Sequence, residues 1–187
     1  GKPLTNMEAR IENPDEEGIG EILLRGPSVM MGYYENEEAT KKALDDEKWL
    51  HTGDFGYIDK DGYIFITGRK SDIIVLRNGK NIYPQELEFV INKLPYVEES
   101  MVYARNKSKT DTVLGAKIVY NKDEIIAKFG KQKDYKELVW EDIKEMNKEL
   151  PDYKHIKEIS LTDEPLEKTT TQKVKRFVEM KKIETSK

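Results

Sequence analysis

Two turn sequences that contain glycine constrain the fold of this chain more than any other feature. In the first, Asp59-Lys-Asp-Gly62 separates the apolar runs Tyr57-Ile58 and Tyr63-Ile-Phe-Ile66. In the second, Arg77-Asn-Gly-Lys80 separates two further short apolar runs. Asn-Gly between such runs is typical of a type I′ turn, in which both central residues have positive φ. The sequence therefore predicts two β-hairpins in close succession.

Asp54 and Arg69 lie at the outer ends of the strands of the first hairpin. Pairing across the turn brings these ends together, so a carboxylate and a guanidinium would meet at one rim. Such a pair could bind a vicinal diol such as a ribose, because a carboxylate accepts hydroxyl protons in charge-assisted hydrogen bonds. By spacing alone, an aspartate like Asp54 more often caps a turn, and a lone arginine like Arg69 is usually a solvated charge. His51, just before them, is most simply a polar surface or packed residue.

Two other patterns near this hairpin look like ligand loops but lack essential parts. Asp59-Lys-Asp-Gly62 has neither the third acidic ligand nor the distal glutamate of a calcium loop. Gly68-Arg-Lys-Ser71 lacks the glycine-flanked spacer of a phosphate loop. We therefore predict no metal-binding residues in this chain.

The composition excludes several classes of protein. Charged residues make up 36% of the 187 residues and hydrophobic residues 37%, which predicts a polar surface around a modest core. The net charge of -4 argues against a nucleic-acid partner, which would require a basic surface. No apolar run approaches the roughly 18 residues of a membrane span, and the absence of cysteine fits a reducing cytoplasm. Because the sequence begins at Gly1 without methionine, we expect it to be part of a longer protein.

The remaining pattern predicts an α+β chain in two parts. Residues 1–68 are expected to be β-rich, with one short helix from Glu37 to about Asp46. From Asp72 onward helices and strands alternate, and Pro84 is expected to begin a helix because its missing N–H costs nothing there. The later elements are expected to be strands at Val97–Ala104, Thr112–Tyr120 and Ile156–Leu161, a polar turn at Asn106–Asp111, a helix after Asp134 and a basic helix at Val174–Lys182.

Three motifs resemble those of the AMP-forming acyl-CoA synthetases and occur in the same order. They are Thr52-Gly-Asp54, Gly68-Arg-Lys-Ser-Asp72 and Gly79-Lys-Asn-Ile-Tyr-Pro-Gln-Glu-Leu-Glu88. Within that superfamily the resemblance is strongest to the bacterial long-chain fatty-acid:CoA ligases. It covers only the C-terminal part of such an enzyme, because the Ser/Thr/Gly-rich phosphate loop that the family carries far upstream is absent.

The resemblance implies a domain organisation. Residues 1–68 would form a small distorted β-barrel that ends the large N-terminal domain. Residues 69–72 would be a hinge, and residues 73–187 a mobile α+β domain. The family's pivot position, usually Asp or Lys, is occupied by Ser71 in this sequence.

The resemblance also implies roles for individual residues. Asp54 would bind both ribose hydroxyls of ATP, and Arg69 would reach the ribose and a nearby phosphate. In the second hairpin, Asn78, Gly79 and Lys80 would line the path of the CoA pantetheine, although by spacing alone they could be a simple hairpin tip.

A fourth segment, Thr169-Thr-Thr-Gln-Lys-Val-Lys-Arg176, is similar to the family pattern Thr-x-x-Gly-Lys-(Ile/Val)-x-Arg. Lys173 matches the catalytic lysine of that pattern. Gln172 replaces the usual glycine, so we expect the loop to lose the freedom to adopt positive φ. Without the resemblance, the segment would be interpreted as a Thr-rich loop before a basic helix.

The implied reaction joins a carboxylic acid, such as a fatty acid, to CoA through an acyl-adenylate. ATP, Mg²⁺ carried by ATP, and CoA would be required, and the Mg²⁺ ligands would lie outside this chain. Two alternatives stay open: a non-catalytic docking fragment, and an adenylation enzyme that charges a carrier protein. Acyl chain length, oligomeric state and peripheral membrane contact are not determined by the sequence.

Overall fold

The protein is described by a computed structural model that covers residues 1–106 and 112–185. These residues form two compact units, Gly1–Ile73 and Ile74–Lys187. Most of the turn predicted at Asn106–Asp111 lies outside the described residues. None of the helices in the described part combines the length and the apolar character that a membrane crossing requires.

The first unit is built on one antiparallel sheet with the strand order β1-β2-β3-β4. Its elements are β1 (Glu8–Glu12), β2 (Gly20–Arg25), α1 (Glu37–Ala43), β3 (Leu50–Ile58) and β4 (Ile64–Arg69). Helix α1 is capped by Asn36, whose side chain accepts the N–H of Ala39. The family resemblance implied a distorted barrel, but across residues 1–106 and 112–185 no strand pairs β1 with β4, so the four strands do not form a closed barrel.

The core of the first unit is small and includes Trp49. Ile22 and Leu23 of β2 are buried together with Trp49. The guanidinium groups of Arg10 and Arg25 lie 4.5 and 4.4 Å from the Trp49 ring. Both distances are within the range of cation–π interactions.

The second unit combines a short hairpin, a three-stranded sheet and four helices among its described residues. Its elements are β5 (Ile74–Val75), β6 (Asn81–Ile82), α2 (Pro84–Ile91), β7 (Val97–Asn106), β8 (Thr112–Tyr120), α3 (Lys122–Phe129), α4 (Lys136–Lys148), β9 (Ile156–Thr162) and α5 (Arg176–Thr185). The sheet order is β7-β8-β9. Strand β9 runs parallel to β8 because α3 and α4 provide the long crossover that a parallel pair requires.

Several helix boundaries follow from local chemistry. Pro84 is the first residue of α2, as predicted. Helix α3 was not predicted; the side chain of Asn121 caps it by accepting the N–H groups of Asp123 and Glu124. Helix α5 begins at Arg176, two residues later than predicted, because Val174 is still paired with Lys168 in a β-bridge.

Both predicted hairpins form, but the turn type predicted for the second was wrong. The N–H of Gly79 donates to the carbonyl of Leu76, and the N–H of Leu76 donates to the carbonyl of Lys80. Gly79 has a φ of +80°, whereas Asn78 is outside the left-handed region. This is the three-residue loop with one left-handed residue, not a type I′ turn.

A large and a small residue face each other in the main sheet of the second unit. Tyr103 of β7 is paired with Gly115 of β8. A Cβ atom at Gly115 would lie 2.5 Å from Cζ of Tyr103, so the ring occupies the space that a side chain would need. Burial, with a hydrogen bond to Glu158, raises the pKa of Tyr103 to about 12.

Candidate active site

Asp54 and Arg69 meet at one rim of the first unit. They are register partners in the β3–β4 pair. Arg69 Nε lies 2.8 Å from Asp54 Oδ1, and the two side chains are 49% and 26% exposed. The hairpin therefore brings together the carboxylate and guanidinium that the sequence placed at its ends, and both remain accessible to a ligand.

A bulge in β3 shapes the backbone around Asp54. Leu23 of β2 faces His51 and Glu21 faces Phe55, so one residue of β2 is opposite the three residues 52–54. Thr52 Oγ1 donates to the carbonyl of Ile22 at 2.7 Å and accepts the N–H of Asp54 at 3.0 Å. Bulges re-aim side chains at sheet edges, and this one holds Asp54 at the rim.

Glu21 is a buried carboxylate that the sequence analysis did not single out as a site residue. One oxygen accepts the N–H of Gly53 at 3.1 Å, and the other accepts Lys70 Nζ at 2.7 Å. His51 Nδ1 lies 3.4 Å from the same carboxylate. Burial alone would raise the pKa of Glu21, but the bonds from Lys70, His51 and Gly53 together lower it. Glu21 is thus hydrogen-bonded both to Gly53, which precedes Asp54, and to Lys70, which follows Arg69.

The sequence did contain a signal for Glu21. It is the charged residue in an otherwise apolar run, Ile19-Gly-Glu-Ile-Leu-Leu24, most of which is buried. A carboxylate in such a strand must find donors, because burial without them is costly.

Ser71 lies in a single 3-10 turn, Lys70–Asp72, just before the end of the first unit. Its hydroxyl donates to Asp72 Oδ1 at 3.0 Å. Two residues immediately before it, Arg69 and Lys70, are bound through their side chains to the first unit. A hinge at residues 69–72 stays a prediction.

Lys173 lies on an exposed hairpin of the second unit. Lys168 and Val174 form a β-bridge. Thr169 N–H donates to the Lys173 carbonyl at 2.8 Å, and Gln172 N–H donates to the Thr169 carbonyl at 3.0 Å. Within the described residues the Lys173 ammonium forms no ion pair, so the charge is available to a ligand.

Gln172 adopts the conformation that its side chain was expected to prevent. Its φ is +62°, in the left-handed region. The expectation that the loop loses positive φ without glycine was therefore wrong. The hydrogen bonds of the hairpin require a residue with left-handed φ at position 172, just as those of the β5–β6 hairpin do at Gly79. A non-glycine residue in this conformation costs about 1–2 kcal/mol.

Arg176 and Glu88 fix the end of this hairpin to helix α2. Arg176 Nη2 donates to both oxygens of Glu88 at 2.8 Å. Arg176 Nη1 donates to the carbonyl of Val102 at 3.1 Å, and the N–H of Val102 donates to Glu88 at 2.8 Å. The last residue of the Gly79–Glu88 motif and the last residue of the Lys173 motif therefore form one structural unit.

The tip of the β5–β6 hairpin has partners within its own unit. Asn78 Oδ1 accepts the N–H of Lys80 at 3.1 Å. Lys80 Nζ lies 4.4 Å from the centre of the Tyr153 ring. The left-handed φ of Gly79 accounts for the glycine. Beside the tip is a cavity of about 240 Å³, lined by Leu76, Arg77, Asn78, Thr112, Leu114, Asp152, Tyr153, His155 and Lys157.

The predicted site residues are distributed over both units. Asp54, Arg69 and Ser71 belong to the first unit, whereas Asn78, Gly79, Lys80 and Lys173 belong to the second. Among residues 1–106 and 112–185, no three His, Cys, Asp or Glu side chains are grouped so that they could hold a metal ion.

Comparison with known proteins defines the class. The model of the AMP-binding enzyme C-terminal domain matches residues 71–185, so the chain belongs to that family. The chain is an α+β member of the adenylate-forming acyl-CoA and aryl-CoA ligase superfamily.

Individual relatives include ligases for different acids. The 2-succinylbenzoate–CoA ligase of Listeria innocua is 39% identical over 94% of this chain and 33% of its own length. The long-chain-fatty-acid–CoA ligase ACSBG1 of Homo sapiens is 36% identical over 66% of this chain and 17% of its own length. This chain thus spans a third or less of these relatives.

Solved structures of known proteins also match this chain over nearly its whole length. The o-succinylbenzoate CoA synthetase of Bacillus subtilis, in complex with its acyl-adenylate OSB-AMP, matches 95% of this chain and 34% of its own with a TM-score of 0.75 and 32% identity. The same enzyme has been solved with ATP and magnesium ion. ATP-bound MatB from Rhodopseudomonas palustris matches 97% of this chain and 35% of its own with a TM-score of 0.76 and 29% identity.

Proposed function

We propose that this chain is the C-terminal part of an AMP-forming acid–CoA ligase that acts in two steps through an acyl-adenylate. The observation that carries the proposal is the Asp54–Arg69 pair on a bulged rim, in a chain of this family. A relative solved with its acyl-adenylate supports the same chemistry.

In the proposal, Asp54 binds the ribose of ATP. Its carboxylate accepts the two adjacent hydroxyl protons, and charge-assisted bonds of this kind are roughly twice as strong as neutral ones. Arg69 holds the carboxylate in place and presents its remaining N–H groups to the ribose and a phosphate. The bond from Thr52 to the Asp54 N–H keeps the carboxylate aimed at the ligand.

Lys173 acts in the first step, in which a carboxylate attacks the α-phosphorus of ATP and pyrophosphate leaves. Two anions must approach each other, so a fixed cation between them lowers the barrier. Removing one preorganised charge of this kind typically costs on the order of 100- to 1000-fold in rate. The Lys173 ammonium is exposed, forms no ion pair with any residue that the structure describes, and lies on a hydrogen-bonded hairpin, which supports this role.

In the second step the CoA thiol attacks the adenylate carbonyl and AMP leaves. We propose that Asn78, Gly79 and Lys80 line the pantetheine path in this step, and that Ser71 is the pivot of the change between the steps. The bonds of Arg69 and Lys70 to the first unit support a pivot that begins at Ser71.

For the acid we propose a long-chain fatty acid. Relatives with that specificity support this choice. An aromatic acid such as 2-succinylbenzoate is the second candidate, supported by a relative that matches 94% of the chain. Competition between palmitate and 2-succinylbenzoate for the purified ligase distinguishes them. A location in the cytoplasm is part of the proposal.

The decisive experiment is Lys173→Ala in the ligase that carries this chain, assayed by acid-dependent ATP–pyrophosphate exchange. Lys175→Ala is the matched control, because Lys175 is also exposed and lies two residues away. We expect exchange to fall on the order of 100-fold or more for Lys173→Ala and to stay unchanged for the control. Equal exchange in both variants would refute the role of Lys173.

A further inference from the structure

Glu179 is an ionisable residue with no exposed surface, and the proposed chemistry makes no use of it. It lies in the first turn of α5 and accepts three hydrogen bonds. Lys117 Nζ donates to Oε2 at 2.6 Å, while Lys182 Nζ and the Glu167 N–H both donate to Oε1 at 3.0 Å. A buried carboxylate with three charge-assisted or backbone donors is a strongly oriented group.

These bonds join the two arms of the Lys173 hairpin. Glu167 lies in the first arm, directly before the bridge residue Lys168. Lys175 lies in the second arm; its N–H donates to the Glu167 carbonyl at 2.8 Å, and its carbonyl accepts the Glu179 N–H at 3.2 Å. The side chain of Glu179 is therefore hydrogen-bonded to the first arm through the Glu167 N–H. The backbone N–H of Glu179 is hydrogen-bonded to Lys175 in the second arm.

Lys117 connects this arrangement to the main sheet. It belongs to β8, the central strand, and only 13% of its side chain is exposed. Lys182, one turn after Glu179 on α5, pairs with both Glu179 and Glu167. We call Glu179, Lys117, Lys182 and Glu167 the anchor cluster.

Near the tip of the hairpin, the hydrogen bonds that the structure describes do not reach the sheet. Between Thr169 and Lys173 the hydrogen bonds are made within the hairpin. Further ties lie at the base of the hairpin. Glu99 accepts the Leu166 N–H at 2.9 Å and pairs with Lys168 at 2.5 Å. Arg176, after the second arm, binds Glu88 and the Val102 carbonyl. Leu166 and Val174 pack against apolar residues of β7 and β8. The direction of the tip is therefore determined at its base.

We propose that Glu179 is a positioning residue for Lys173, which fixes the base of the hairpin to β8 so that the ammonium keeps one direction. The inference rests on the proposed adenylate-forming function. Because the ties made by Glu99 and Arg176 would remain, loss of the anchor cluster should weaken the positioning and not abolish it. The first step of the reaction should suffer, since Lys173 is required only there.

The test must separate positioning from folding. Removing Glu179 alone would leave Lys117 buried without a partner, which is strongly destabilising. The double variant Lys117→Met/Glu179→Leu replaces the ion pair by apolar groups of similar volume, a change that often preserves stability. It removes the bond to the Glu167 N–H without leaving an unpaired charge in the sheet.

Two half-reactions of the ligase that carries this chain are the readout. ATP–pyrophosphate exchange reports the first step, and release of AMP from preformed acyl-adenylate with CoA reports the second. We expect exchange to fall on the order of 10- to 100-fold in the double variant, with the second half-reaction within twofold of wild type. Glu145→Gln, at an exposed pair with Lys148 in the same unit, is the matched control and should change neither rate.

The results for the double variant and for Lys173→Ala together distinguish failure of the positioning role from failure of the proposed function. Unchanged exchange in a folded double variant, with exchange lost in Lys173→Ala, would overturn the positioning role alone. Equal losses in both half-reactions would show a general structural effect and would also overturn it. Unchanged exchange in Lys173→Ala would instead refute the proposed function.

Discussion

Arg176 and Glu88 are 88 residues apart in the sequence, yet Arg176 Nη2 lies 2.8 Å from both carboxylate oxygens of Glu88. Glu88 is 12% exposed and Arg176 25%. The pair joins α2, the edge of β7 and the start of α5, directly after the Lys173 hairpin. The Gly79–Glu88 motif and the Thr169–Arg176 segment are distant in sequence but are joined in the fold by this ion pair.

Arg176→Lys should destabilise the second unit. Lysine cannot make the forked contact to Glu88 and also reach the Val102 carbonyl, so at least one buried acceptor is left unpaired. We expect a loss of about 2 kcal/mol in the free energy of unfolding. Urea unfolding followed by Trp140 fluorescence, in a Trp49→Phe background, measures this unit. Arg77→Lys, at an exposed arginine, is the control; equal losses in both variants would contradict the prediction.

Gln172→Gly should stabilise the same unit. Glycine adopts the φ of +62° without the steric cost of a Cβ, although it loses more entropy on folding. We expect a net gain of about 1 kcal/mol, measured in the same urea assay. Thr171→Gly, the adjacent exposed position without positive φ, should give no gain. A gain at Thr171 that matched the gain at Gln172 would exclude the left-handed conformation as the cause.

Glu179 should make the second unit sensitive to acid. Burial would raise its pKa, but Lys117, the Glu167 N–H and Lys182 together lower it to about 2. Below the ordinary glutamate pKa the unfolded chain binds the proton first, so stability is full above about pH 4.5 and falls as the pH approaches about 2. The total is roughly 3 kcal/mol.

The measurement is Trp140-monitored unfolding between pH 6 and pH 2.5. Glu179→Gln should be less stable than wild type at pH 6 and should show a flatter decline. Glu145→Gln, at an exposed carboxylate, should follow the wild-type curve. A wild-type decline that persisted unchanged in Glu179→Gln would assign the acid sensitivity to other groups.

Asp54→Asn should weaken nucleotide binding without destabilising the first unit. The amide is neutral and has one acceptor oxygen where the carboxylate has two, so the contacts to both ribose hydroxyls that we propose for Asp54 should weaken. We expect the KM for ATP to rise on the order of 10-fold or more, since charged hydrogen bonds contribute about 1.5–3 kcal/mol each. Initial rates at varied ATP measure this, with Asp59→Asn in the hairpin turn as the control. An ATP KM equal to wild type would remove Asp54 from the ribose site.

Local chemistry made part of this structure predictable. Glycine turns gave the two hairpins, proline gave the start of α2, and strand pairing brought Asp54 to Arg69. The parallel pairing of β9 and the Arg176–Glu88 pair depend on contacts between distant segments, for which the sequence carries no periodic signal. At Gln172 the hairpin's hydrogen bonds overrode the preference of the single residue, so local propensity gave the wrong expectation.

Tyr103 and Gly115 illustrate a constraint that acts on two positions at once. The phenol ring fills the space above the glycine, so a side chain at position 115 requires a smaller or displaced one at position 103. A lineage that acquires a larger side chain at position 115 should carry a smaller one at position 103. Related sequences should therefore show correlated exchange at these two sites, and a chimera that swaps only one of the two strands risks a collision that neither parent contains.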